Sequence, residues 1–459
     1  MSIQRYLTVL FSLALLSCNE KRDPLIVSPI NPRYFTNSSG KAVYLTGSHT
    51  WNNLVDMTYL DKTDTFDYTA FLEFLKKYNH NFYRLWAWEL LNWNTNANDD
   101  ENAKTYLVNP HPWLRTGPGT AVDGDLKFDL SKFNEDYFTR LRSRIEQAND
   151  YGLYVSIMLF EGWGIQFSPD AYQNHPFYPL NNFNDTGLDT TFASRLIIHE
   201  LNNRKVLGLQ ENYLKKVIET VNDLDNVLYE ISNENHPEST DWQYHMIRFI
   251  KDYESQLGNL HPVGMTFQYR GGSNRDLFGS PADWVSPNPE GGYRDDPPAA
   301  DGSKVIVNDT DHLWGLGGNV GWVWKSFLRG MNPLFMDPYD GKVLMQSFDT
   351  DWSESIRRNL GYTNDFANRL DLVNMVPSGE LTTTRYCLAN SGKEYIVYFP
   401  SDTVATVDLT AVAGQLNAEW FDPVSGTSQS GGETQGGVIK QFTSPFNSGS
   451  AVLYLMLKE

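Results

Sequence analysis

Eight short apolar runs, each followed by a stretch that repeats at helical spacing or by a long polar segment, constrain this chain more than any other feature of its sequence. The runs span residues 42–46, 81–86, 153–160, 227–231, 262–267, 283–286, 304–307 and 333–336. Between them, Phe71, Leu72, Leu75 and Tyr78 share one helical face, and so do Phe138, Leu141, Ile145 and Ala148, with Asn134 upstream as an N-cap. Leu214, Val217, Ile218 and Val221 repeat the pattern, as do Met246, Phe249, Ile250 and Tyr253. Strands that alternate with helices pair in parallel through right-handed crossovers. Eight such units close most simply into a (β/α)8 TIM barrel over residues 34–374. An open doubly wound sheet is disfavoured, because no Gly-rich dinucleotide turn follows the first run. Long segments at 91–130, 162–205 and 268–300 follow the second, third and fifth runs and so fall at the C-terminal face, where such barrels keep their sites.

From about residue 375 the pattern changes to short β-rich runs at 385–388, 394–399, 404–409 and 451–456, separated by Gly, Ser, Asn and Thr turns. A small antiparallel β-sandwich over 375–459 is expected. The other end of the chain reads MSIQRYLTVLFSLALLSC, with Arg5 ahead of an apolar stretch too short to cross a bilayer. Residues 1–17 have the layout of an export signal, and Leu15-Leu16-Ser17-Cys18 resembles the bacterial lipobox, which makes Cys18 the acylated mature N-terminus and 18–33 a tether. The expected location is the cell envelope, with membrane contact through that anchor only. The one other cysteine is Cys387, so with Cys18 acylated no intrachain disulfide and no cysteine metal site can form. A net charge of −19 repels polyanions, which excludes nucleic acid as a partner and weighs against a sulfated or uronate-rich polymer.

Acidic and aromatic residues gather where the runs end. Tyr229-Glu230-Ile231-Ser232-Asn233-Glu234-Asn235-His236 closes the fourth run, and Asn308-Asp309-Thr310-Asp311-His312-Leu313-Trp314 closes the seventh. Glycoside hydrolysis needs two carboxyl groups on opposite sides of a sugar ring, which a barrel supplies from two strand ends. Arg84 at the end of the second run is placed to keep one carboxylate ionised while another stays protonated. His49, Trp51, Trp86, Trp163, His312 and Trp314 are candidate sugar contacts, the indoles as stacking faces. Glu89 and Glu161, at the second and third strand ends, are read as substrate-contacting or supporting residues. His49, His175 and His236 lack a short ligand spacing, and neither a metal nor a cofactor is expected.

The Asn233-Glu234 pair at the fourth strand end resembles the acid/base signature of the large clan of retaining glycosidases built on (β/α)8 barrels. That resemblance implies Glu234 as acid/base and Asn233 as the residue bonding the hydroxyl beside the anomeric carbon. It also implies that the second carboxylate lies five residues into the seventh strand, at Asp309, with Asp311 as its rival, and that Arg84 bonds it. The clan carries Glu there; the shorter Asp widens the gap between carboxyls toward that of inverting enzymes. With the segment from Tyr34 through Trp51 and Asp309-Thr310-Asp311-His312-Leu313-Trp314-Gly315, the chain is similar to the apiosidase-like (DUF4038) and cellulase-like barrels of polysaccharide-degrading bacteria. Glu394-Tyr395-Ile396-Val397-Tyr398-Phe399 and Glu419-Trp420-Phe421-Asp422-Pro423 resemble the collagen-binding-type module of such proteins. Apiosidases carry Asp at strand four and Glu at strand seven, the reverse of this chain, so apiose specificity is not carried over. The expected function is hydrolysis of a glycosidic bond in an extracellular polysaccharide or oligosaccharide by a two-carboxylate, retaining mechanism, with a non-catalytic glycan-binding surface lipoprotein as the alternative. A host-matrix adhesin rests on the module's name alone.

Overall fold

Barrel strands β1 (Gly47–His49), β2 (Phe82–Trp86), β3 (Tyr154–Glu161), β4 (Val227–Asn233), β5 (Val263–Thr266), β6 (Trp284–Ser286), β7 (Val305–Asp309) and β8 (Asn332–Met336) form one parallel sheet, in the order β1-β8-β7-β6-β5-β4-β3-β2. The computed structural model describes residues 24–59, 65–94, 105–168, 170–340, 350–401, 403–447 and 449–458; residues 1–17, expected to form an export signal, and Cys18 lie outside the described residues. Thr46 joins the two ends of the sheet. Its carbonyl accepts from Asn81 N (3.0 Å) and Phe82 N (3.2 Å), and its own N–H donates to Asn81 Oδ1 (2.9 Å). Helices α1 (Tyr68–Lys77), α2 (Glu135–Asp150), α3 (Arg204–Val221), α4 (Thr240–Leu257), α5 (Val320–Leu328) and α6 (Thr350–Arg369) follow β1, β2, β3, β4, β7 and β8. After β5 the helix shrinks to Asn274–Phe278, and after β6 to a 3-10 turn, Glu290–Gly292.

The helical faces follow from their spacing. Asn134 caps α2, accepting from Asp136 N, and Phe138, Leu141, Ile145 and Ala148 are buried on one side of it. On α3, Leu214, Val217, Ile218 and Val221 are buried together, each fully buried aliphatic side chain contributing about 1.5–3 kcal/mol. Phe249 and Tyr253 of α4 are only half-buried, because they lie beside the buried line of Met246, Ile250 and Glu254 rather than on it.

The first barrel strand lies downstream of the expected run 42–46. Ala42–Val43 pairs antiparallel with Phe35–Thr36, which pairs with Ile26–Val27. Leu25, Phe35 and Leu45 from this segment pack on Phe82, Tyr154, Leu228, Trp284, Val305, Val307 and Leu334, the lowest inward-facing residues of the barrel. The apolar run therefore floors the barrel, and β1 reads Gly-Ser-His because its residues lie at the polar end. The segment 268–300 is not one loop either, since β6 runs through it. Gly264 on β5 makes room for the Trp284 indole, which would occupy the space of any added Cβ.

Beyond α6 lie β9 (Val376–Pro377), β10 (Cys387–Asn390), β11 (Glu394–Phe399), β12 (Val404–Asp408), β13 (Gln415–Asp422), β14 (Thr427–Gln435), β15 (Ile439–Thr443) and β16 (Ala451–Leu457). Six of them form an antiparallel sheet, β9-β10-β11-β16-β13-β14, and β12 pairs with β15. Alternation along β11 divides its side chains between two cores. Tyr395, Val397 and Phe399 pack with Ala405, Val407 and Phe442 of the two-stranded ladder, whereas Ile396 and Tyr398 pack with Trp324 and Phe327 of α5 and Phe366 of α6. Trp324 is fully buried there, stacked on Tyr398 at 6.2 Å, with its Nε1 donating to Asn359 Oδ1 (2.8 Å). Trp324→Ala is expected to cost about 3–5 kcal/mol in urea unfolding of the whole chain. A loss under about 1 kcal/mol would show that barrel and module do not share this core.

Candidate active site

Inward-facing residues of the barrel change from apolar to charged partway up. Strand alternation puts Phe82, Arg84 and Trp86 of β2 and Leu228, Glu230 and Ser232 of β4 on the interior face. Arg84 Nε donates to Glu230 Oε2 (2.8 Å), and its Nη2 to Glu230 Oε1 (2.5 Å) and Asn233 Oδ1 (2.7 Å). Nη1 reaches both acids of strand seven, Asp309 Oδ2 at 3.1 Å and Asp311 Oδ2 at 2.9 Å. Burial alone would weaken the guanidinium's hold on its proton, but Glu230, Asp309 and Asp311 more than offset this, so Arg84 is always charged.

Asp309 is fully buried and committed on both oxygens. It accepts from Asp311 N (3.0 Å) as the N-cap of the short helix Thr310–Trp314, and from His49 Nε2 at 3.1 and 3.0 Å. The indole of Trp86 can only donate, and it donates to His49 Nδ1 (2.9 Å), which fixes the imidazole proton on Nε2 facing Asp309. Burial would raise Asp309, yet His49 and Arg84 hold it well below the usual carboxylate range. For Asp311 the balance differs: burial, opposed by Arg84 and reinforced by the charge of Asp309, pushes it up to about 6. Its Oδ1 has no hydrogen-bond partner among the described residues.

Glu234 follows β4 in left-handed backbone (φ 42°). No hydrogen bond to its carboxyl is formed among the described residues. Burial, then Asp311, Glu161 and Asp309 against the pull of Arg84, raise it well above the usual range, which keeps it protonated. Asn233 beside it is held through Oδ1 by Arg84 and by His312 Nε2 (3.2 Å). Since that oxygen only accepts, His312 carries its proton on Nε2 and takes the Ser286 hydroxyl on Nδ1 (2.6 Å); burial and Arg84 keep this ring neutral.

Several expected contacts have other duties. Trp86 is fully buried beneath Arg84, whose guanidinium carbon lies 4.7 Å from the ring centroid, and so cannot stack on a sugar. His49 and His312 are likewise buried, bonding protein groups. Glu161 is 2% exposed, and its oxygens accept from Trp163 N (3.0 Å) and Gly164 N (2.6 Å). Glu89 accepts the N–H of Glu161 (2.7 Å) and pairs with His175 and His199, both at 3.3 Å. Trp51 packs among Trp86, Trp88, Trp93 and Trp163 at centroid distances of 4.9 to 6.2 Å. Trp163 is half-buried and continues through Phe167 (5.7 Å) to Tyr269 (5.3 Å), a partly exposed aromatic row beside Glu234. Trp314, also half-buried, meets Trp322 edge-on. His236 bonds Leu196 O and Glu238, and among the described residues no three His, Cys, Asp or Glu gather to hold a metal.

Glu230, Ser286, Gln166, Phe167 and Tyr269 were not foreseen as site residues. For Glu230 the signal was available: an acid at an inward position of an otherwise apolar strand demands a buried cation, and Arg84 holds the matching position two strands away.

Comparison with known proteins agrees with this architecture. Residues 75–268 match the family described as "Domain of unknown function (DUF6298)", and not the DUF4038 family that the sequence resemblance suggested. Residues 373–456 match "Putative collagen-binding domain of a collagenase". No curated protein matches the chain significantly. Among solved structures, one titled "Glycoside hydrolase" is 14% identical with TM-score 0.61, covering 95% of this chain and 97% of its own. A glycoside hydrolase family 5 protein from Bacteroides vulgatus ATCC 8482 is 13% identical with TM-score 0.61, covering 95% and 93%. The chain thus has the TIM-barrel fold of glycoside hydrolases, with antiparallel sheets of the collagen-binding-domain type at its C-terminus.

Proposed function

We propose that this chain is a glycoside hydrolase in which Glu234 is the general acid/base and Asp311 the second carboxylate. The observation that carries the reading is that these two carboxyls, from the ends of β4 and β7, are the ones with oxygens left unbonded, and that Asp311 is the foremost charged neighbour of Glu234. They are also the most exposed acids of the cluster, at 8% and 4% against 0% for Asp309 and Glu230. Glu234, protonated in its buried position, donates to the glycosidic oxygen as the bond breaks. Asp311, kept anionic by Arg84, attacks the anomeric carbon or directs a water to it; the anomer of the first product, read by NMR, tells which. Asn233, with its oxygen fixed by Arg84 and His312, turns its amide N–H to the neighbouring hydroxyl. Trp163, Phe167 and Tyr269 offer aromatic faces to the rings on either side of the bond. With the export signal and Cys18, this activity belongs to the cell envelope, on a carbohydrate met outside the cytoplasm.

Glu234→Gln and Asp311→Asn should each lower the release of reducing ends from the hydrolysed glycan by about 10³-fold or more, with thermal melting little changed. A broad glycan panel that yields no new reducing ends with the unaltered protein would refute the hydrolase assignment. The rate should rise with pH through about 6 as Asp311 ionises and fall at alkaline pH as Glu234 loses its proton. Asp309→Asn removes the negative neighbour of Asp311, so the acid limb should move to lower pH and activity should fall less than in Asp311→Asn; the opposite order would make Asp309 the reacting group. Arg84→Met leaves three buried carboxylates without their cation and should cost about 3–5 kcal/mol of stability near neutral pH. Because protonation relieves that repulsion, the deficit should shrink as pH falls toward 4, which urea titrations at several pH values would show.

A further inference from the structure

Left-handed backbone at a residue with a long side chain persists only where the surroundings impose it, and at Glu234 the turn after β3 does so. Glu161, the last residue of β3, stands in register with Asn233 of β4. Its carboxyl folds back onto the N–H groups of Trp163 and Gly164, so it caps the turn Gly162–Phe167. The turn lies against the end of β4, where a Cβ on Gly162 would run into Asn235. From the same turn Gln166 Nε2, bonded also to Gly162 O (2.8 Å), donates to the backbone carbonyl of Glu234 (2.9 Å). Gly164 is required too: an added Cβ would sit 2.5 Å from Glu161 Oε2. From behind, Glu89 accepts the Glu161 N–H and is itself paired with His175 and His199.

Resting on the reading of Glu234 as acid/base, we propose that Glu161 is its positioning residue: through the turn it caps it fixes where the Glu234 carboxyl stands, beside its own. The groups facing Glu234 are Asp311 and Asp309 at the β7 end, Glu161 at the β3 end and Arg84 on β2. Of these Arg84 is the cation, and its hydrogen bonds go to Glu230, Asn233, Asp309 and Asp311. Glu161 in turn faces Glu89, Asn233 and the N–H groups of Gly164 and Trp163; burial, with Glu89 adding to it, pushes Glu161 up to about 8. Both carboxyls are thus raised, and the charge of either one opposes ionisation of the other.

The test is a 13C NMR titration of the full chain labelled at its glutamate carboxyl carbons, with the Glu234 signal identified as the one missing from E234Q. In E161Q, which keeps the volume and one acceptor, the Glu234 midpoint should fall by about one pH unit, and the alkaline limb of kcat/KM should move down with it. E161D, which keeps the charge, should hold the midpoint near that of the unaltered protein. An unmoved midpoint in E161Q overturns the proposal. Should E161Q not fold, Q166L, which removes the bond from the capped turn to the Glu234 carbonyl, decides: kcat should fall with KM little changed, and an unaltered kcat overturns the proposal. Reducing-end release separates this result from the parent reading: activity lost in E234Q alongside an unmoved midpoint in E161Q refutes the positioning role alone, whereas a lowered midpoint in E161Q of a protein that cleaves no glycan refutes the hydrolase assignment alone.

Discussion

Arg84 donates to five residues inside the barrel, to oxygens of Glu230, Asn233, Asp309 and Asp311 and to the sulfur of Met158. Three of those residues are carboxylates, so one positive charge answers three negative ones in a space without bulk water. Such clusters add little net stability once desolvation is counted. What this one fixes is geometry and protonation. The planar fork locks Glu230 below, Asn233 to one side and the strand-seven acids to the other, and lysine, with three donors on a flexible stem, could not take its place. The unbalanced negative charge then falls on the carboxyls bound least tightly. That is why Asp311 is raised while Asp309, with His49 as an additional donor, is depressed.

Periodicity made most of the barrel legible in the sequence, because burying one helix stripe against a sheet is a constraint that every unit repeats. It failed at the first strand for a physical reason. A plug that floors the barrel and a strand that lines it both need apolar residues, and 42–46 served the first purpose. It also missed four strands of the C-terminal module, β9, β13, β14 and β15. Almost all of β14 faces solvent, so its Thr-Ser-Gln-Ser-Gly-Gly-Glu-Thr-Gln sequence carries no alternation to read. In the site, residue type and strand end picked out Arg84, Asn233 and Glu234 together, whereas exposure could not be read. Trp86 is the clearest case: aromatic, at a strand end, and wholly covered by Arg84 and His49, so its contribution is to hold a cation and set a tautomer.

The C-terminal module bears on the same point. Every residue of β11 is buried, which an isolated sandwich with one solvated outer face would not require. Its Ile396 and Tyr398 belong to a core that includes Trp324, Phe327 and Phe366 from the helices that follow β7 and β8. Those two strands deliver the acids of strand seven and complete the sheet back to His49. The module therefore braces the side of the barrel on which Asp309 and Asp311 are held, and the face it spends on this packing is closed to any other partner.

The ends of β3 and β7 show how a chain assigns roles among acids that look alike in sequence. A carboxylate at a strand end can turn back to cap the backbone N–H groups of the segment that follows, or it can point over the sheet toward a ligand; it has too few oxygens for both. Glu161 caps Trp163 and Gly164, and Asp309 caps Asp311 while also receiving His49. Glu234 and Asp311 cap nothing. Each keeps an oxygen free, and each stands immediately beyond a residue whose bonds fix the local backbone: Asn233 before Glu234, and the capped turn of Asp309 before Asp311. Asp309, where the strand register falls, is spent as a cap, and Asp311, two residues later on the turn it caps, keeps an oxygen free.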